Sequence, residues 1–124
     1  MELYLDTSNA THIIIRNNDG NIIDEYSDDM RFSQSEKLLQ AVDDLLKKNA
    51  LSKESLKRIV VFCGPGSYTG IRVGVTTANF LALGLNIPVF CSEEKGSSSS
   101  NFTKPVSAKY LKEPFITKEK PRLN

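Results

Sequence analysis

A chain of 124 residues is long enough for one domain with one modest core. With 40% hydrophobic residues, 25% charged residues and a formal net charge of +1, its overall charge points to neither a nucleic-acid nor a membrane partner. No apolar run approaches the ~20 residues that a membrane span requires, and the acidic residues within the first six positions do not fit a secretory signal. Two cysteines, Cys63 and Cys91, each close a β-like run without forming a CxxC pair. They read as small buried apolar residues rather than as a disulfide or a metal site, and the expected compartment is the cytoplasm.

Taken in order, residues 2–6 (ELYLD) alternate polar and apolar and predict a first strand, stopped by the turn-prone Asp6-Thr7-Ser8-Asn9. Thr11 to Arg16 is a β-branched run, Asn17-Asn18-Asp19-Gly20 is a hairpin turn, and Asn21 to Tyr26 returns as a third strand. The only histidine, His12, stands at a strand start and reads as a surface residue. The acidic group Asp24, Glu25, Asp28 and Asp29 reads as a solvated strand end, because a linear run does not supply the convergent geometry of a metal site. Ser33 or Ser35 then offers an N-cap. From Ser35 to Asn49 the residues Leu38, Leu39, Val42, Leu45 and Leu46 recur at helical spacing, and Leu51 to Leu56 predicts a second N-cap with a short helical turn.

A strand over 58–63 enters a loop with glycines at 64, 66 and 70, and a helix leaves it to end at Asn86. That helix carries small residues at every fourth position: Gly70, Gly74, Ala78 and Ala82. Residues four apart share one helical face, so this face is nearly flat and suits a closely packed neighbour. Ile87 to Cys91 predicts a fifth strand, parallel to the fourth because a helix joins them, giving β-β-β-α-β-α-β over a lobe spanning 1–92. Residues 93–104, with four consecutive serines, read as a flexible linker. Residues 105–124 read as a tail with a short β-like piece at Val106–Leu111; from Lys104 onward six basic residues stand against two acidic ones. Such a tail can touch RNA, but terminal segments of this kind are commonly just solvated.

Three chemistries compete for the glycine loop. Phosphate binding suits a loop that opens a helix N-terminus. However, no lysine completes a P-loop, and Gly64, Gly66 and Gly70 give GxGxxxG rather than the dinucleotide GxGxxG. Glu93 and Glu94 stand about where a ribose-binding acid would follow. Hydrolysis fits poorly, because Pro65 replaces the first glycine of GxSxG around Ser67 and a single distant histidine does not make a triad. The third reading is mechanical: Gly64, Pro65, Gly66, Ser67, Thr69 and Gly70 aim a helix that mates with another helix.

Here the residues carry a resemblance. Leu5-Asp6-Thr7-Ser8, Ser35-Glu36-Lys37-Leu38-Leu39, the run GPGSYTGIRVGVTTANFLALG and Asn86-Ile87-Pro88-Val89 together resemble the TsaB (YeaZ) family, over residues 1–91 and in the family's order. The segment Pro105 to Lys112 is similar to the strand and basic tail that close the family's chains. The resemblance implies a single actin-like ATPase (ASKHA) lobe of class α/β. It implies a non-catalytic scaffold that pairs with the catalytic subunit TsaD in forming N6-threonylcarbamoyladenosine in tRNA, with the small ATPase TsaE in a larger complex. No catalytic, metal or cofactor residue is expected in this chain, with ATP handled by the partners, tRNA contact indirect and a homodimer formed when the chain is alone. The interface would comprise Leu38, Leu39 and Val42 from the first helix, with Gly70, Val73, Gly74, Thr77, Ala78, Leu81 and Ala82 from the second. Two departures stand out: Gln34 replaces a histidine common in the family, and most of a second actin-like domain is missing, which removes one wall of the family's nucleotide cleft. The alternative is a small nucleotide- or phosphate-binding enzyme lobe that uses the Gly64–Gly70 loop.

Overall fold

The computed structural model describes residues 1–66 and 68–98, with Tyr68 described by its backbone alone. Ser67, the later part of the expected linker, the strand at 106–111 and the basic tail lie outside the described residues. The elements run β1 (Glu2–Asp6), β2 (Thr11–Arg16), β3 (Ile22–Asp28), α1 (Ser35–Lys48), a 3-10 turn (Lys53–Ser55), β4 (Arg58–Phe62), α2 (Tyr68–Leu85) and β5 (Val89–Ser92). The sheet order is β3-β2-β1-β4-β5, with the first three strands antiparallel and β1, β4 and β5 mutually parallel.

Local chemistry accounts for the boundaries. The β2–β3 turn closes on Asn17, whose side-chain oxygen accepts from the backbone N–H of Asp19 and Asn21, while Gly20 takes φ +87°. Asn49 caps α1 and Ala50 follows at φ +56°; Asn86 stops α2 at φ +57°, a conformation that asparagine tolerates better than most residues. The N-cap of α1 is Gln34, which makes no side-chain capping bond, so neither Ser33 nor Ser35 fills the expected role. Ser52 does cap the 3-10 turn, accepting from Glu54 N–H.

Register divides the sheet into two faces, since directly paired residues point the same way. Leu3 lies beside Ile15 and Ile59, and Leu5 beside Ile13 and Val61; with Val89 these form the face beneath Leu38, Val42, Leu45, Leu46, Ile71, Val75 and Ala78. The other face sets Glu2 between Arg16 and Arg58, and Tyr4 between Ile14 and Val60. Glu2 is 2% exposed and lies 3.5 Å from Arg58 and 3.8 Å from Arg16. Burial, opposed in part by the Gly96 backbone, pushes the Tyr4 phenol well above its usual range.

Two expectations need correction. Although composition reads as linker from Glu93, residues 93–98 fold back along the second face. Arg16 donates to the carbonyls of Gly96 (2.8 Å) and Ser97 (3.3 Å), Lys95 reaches Asp6 and Ser8, and Ser97 is buried. The cysteines are not separate thiols: Cys63 and Cys91 form a disulfide. The parallel β4–β5 ladder, extended by Cys63 N–H to Ser92 O, brings their Cα atoms to 5.7 Å, within disulfide range. Spacing along the chain cannot reveal this, because the pairing depends on strand register.

Candidate partner interface

The glycine stripe of α2 faces inward. A Cβ on Gly70 would lie 2.6 Å from the Ser8 carbonyl oxygen, and one on Gly74 would lie 3.0 Å from Thr7 Oγ1. That Thr7 oxygen also accepts from the Gly74 N–H at 2.9 Å. The corner after β1 therefore sits on the first turns of α2, and only a helix without side chains there admits its backbone. Ala78, Leu81 and Ala82 continue the same face into the core, and Thr77 is fully buried. Leu38 and Val42 of α1 are equally buried. Leu38, Val42, Gly70, Gly74, Thr77, Ala78, Leu81 and Ala82, expected at the mating surface, are instead buried within the chain, with Gly70 and Gly74 packed on the corner after β1. Leu39 and Val73 alone of the set remain half-buried at the outer surface. In the loop, Gly64 is buried with φ +122° and leads into a cis Gly64–Pro65 bond, whereas Pro65, Gly66 and Thr69 are exposed.

What the outer surface does offer was missed from the sequence. Phe80 is 66% exposed and Leu83 is 55% exposed. Thr76 and Phe80, with Ser35, Glu36 and Leu39 of α1, line a groove of about 260 Å³ between the two helices, with the buried Thr77 at its floor. The Thr77 hydroxyl has no hydrogen-bond partner among the described residues. A signal for this face existed. Val73, Thr76, Phe80 and Leu83 are spaced three, four and three apart, and a helix apolar on all sides needs cover on all sides.

The corner after β1 is occupied by its own chain. Asp6 Oδ1 accepts from Ser8 N–H (2.8 Å) and Ser8 Oγ (2.7 Å), while Lys95 Nζ donates to Asp6 Oδ2 (3.3 Å) and Ser8 Oγ (2.6 Å) and lies over the Phe62 ring. His12 pairs with Glu25 at 2.8 Å at the surface. Among the described residues, no cluster of three potential metal ligands occurs, and no helix is long and apolar enough to cross a membrane.

A five-stranded sheet carrying two helices, with apolar side chains left on their outer side, is a mixed α/β lobe. The family described as "TsaD: tRNA N6-adenosine threonylcarbamoyltransferase" matches residues 31–92. The TsaB proteins, "tRNA threonylcarbamoyladenosine biosynthesis protein TsaB", of Bacillus subtilis and Escherichia coli are 41% and 30% identical over 87 residues. Those matches cover 70% of this chain and 38% and 37% of the relatives. The structure of YeaZ from Pseudomonas aeruginosa superposes with a TM-score of 0.67 at 26% identity, over 75% of this chain and 43% of that one. The chain belongs to the TsaB/YeaZ family, and it spans less than half the length of these relatives.

Proposed function

We propose that this chain is a non-catalytic partner subunit that supports formation of N6-threonylcarbamoyladenosine in tRNA. Its described residues form an actin-like lobe that pairs with TsaD, whose family matches residues 31–92. The observation that carries this reading is the outer strip of α1 and α2, where Phe80 and Leu83 stand exposed beside the groove lined by Leu39 and Thr76. A monomer gains nothing from such a strip, and two related lobes can bring equivalent strips together about a pseudo-two-fold axis. TsaE joins the larger complex, the partners handle ATP, and tRNA contact is indirect. Without TsaD the same face pairs with a second copy, and the setting is the cytoplasm.

The test is co-purification with TsaD of the same organism after Phe80→Asp and Leu83→Asp. Both side chains are exposed, so stability should change by no more than ~0.5 kcal/mol while the complex is lost. A complex that survives both substitutions would overturn the assignment of this face.

A further inference from the structure

We propose that Cys63 and Cys91 form a reversible dithiol–disulfide couple, a redox-operated clip across the base of the α2 crossover. The proposal rests on the cytoplasmic setting given above for its context, but its chemistry is tested on the chain alone. Cys63 follows the last residue of β4, and Cys91 lies in β5, the edge strand. Their 5.7 Å Cα separation is fixed by backbone pairing on both sides, Val61 beside Cys91 and Cys63 N–H on Ser92 O. The ladder holds this spacing whether or not the sulfurs are joined, so the bond can open and close without backbone rearrangement. In thiol-reducing compartments, disulfides are mostly transient and redox-responsive.

Access is one-sided. Cys63 is fully buried, whereas Cys91 is half-buried on the open edge of the sheet. A dithiol reductant therefore attacks as thiolate at Cys91 Sγ; the S–S bond breaks and Cys63 leaves as thiolate and takes up a proton. The reductant's second thiolate then displaces Cys91 from the mixed disulfide. The reductant leaves as a cyclic disulfide, and Cys91 is protonated in turn. Two electrons and two protons pass to the protein. The Val61 carbonyl, 3.6 Å from Cys63 Sγ, is in place to accept from the released buried thiol.

The clip has a mechanical consequence. The bond joins positions 28 apart in sequence and encloses the loop after β4 and all of α2. When it is closed, the two ends of the crossover cannot separate. When it is open, the ends of β4 and β5 are held by the ladder alone, at the edge of the sheet, where local opening is easiest.

The experiment equilibrates the full chain in oxidised glutathione or in dithiothreitol, alkylates it with iodoacetamide and reads the intact mass, with amide hydrogen exchange run in parallel. The expected result is no alkylation after oxidation and two additions after reduction, in a transition that is reversible and independent of protein concentration. Exchange at 64–66 and 87–92 should be about tenfold or more slower in the oxidised form. Cys91→Ser, which retains the ladder, should show the fast exchange in both buffers. Thiols that alkylate in every buffer, or disulfide-linked dimers that grow with concentration, would overturn the couple. Equal exchange in the two redox states would overturn the clip.

Discussion

Gly70 and Gly84 sit in the same helix, yet alanine should act in opposite directions at the two positions. A Cβ on Gly70 meets the Ser8 backbone oxygen at 2.6 Å and Arg31 Nη1 at 2.8 Å. The arginine can swing aside, whereas the backbone oxygen cannot move without shifting the corner after β1. A contact this short with backbone falls in the upper part of the overpacking range, ~2–3 kcal/mol, and alanine's helix preference returns ~1 kcal/mol, leaving Gly70→Ala destabilised by ~1–2 kcal/mol. A Cβ on Gly84 meets nothing within 4 Å, so Gly84→Ala keeps the helix gain, ~0.5–1 kcal/mol near the helix end. For a domain of this size, these changes correspond to a fall of ~4–8 °C and a rise of ~2–4 °C in Tm. Urea denaturation and calorimetry on the two variants and the parent measure both. If Gly70→Ala matched or exceeded the parent, the packing of α2 on the β1 corner would be wrong, and the glycine face would again be available to a neighbour.

Further outcomes follow from the second face and the strand ends. Arg16→Ala removes a guanidinium that serves buried Glu2 and holds the carbonyls of Gly96 and Ser97; it should cost ~3 kcal/mol and speed hydrogen exchange over 93–98, with Arg58 left as the partner of Glu2. A hydrogen bond from Asn49 (2.8 Å), aided by the Glu25 backbone N–H, holds the Asp24 carboxyl below its usual range. Its folded pKa lies below its unfolded one, so its stabilising contribution is present above the ordinary value of ~3.9 and fades as pH falls through the lower folded value. The stability gap between the parent and Asp24→Asn, measured by urea titration, should therefore be larger at pH ~6 than at pH ~3.

Much of the fold was legible because its signals are local. The β-branched run Thr11–Arg16, the Asn17–Gly20 turn and the Leu38–Leu46 periodicity each answer to neighbours within a few residues. The interface was misread at the point where a local signal has two meanings. A row of small residues on a helix announces close approach but not of what, and here the approaching backbone is Ser8 of the same chain. The linker was misread for a related reason: nothing local in Glu93–Ser98 shows that Arg16, about 80 positions away in sequence, will donate hydrogen bonds to its carbonyls.

The sequence by itself determined which segments are strand and helix, their order, and that one face of α2 must meet something closely. Only the tertiary structure decided what that face meets, leaving Phe80 and Leu83 outward, and that Cys63 and Cys91 meet. The physical reason is that periodicity fixes the relative directions of side chains within one element. The partner of each face is chosen by strand register and by helix packing on the sheet, both set by contacts far apart along the chain.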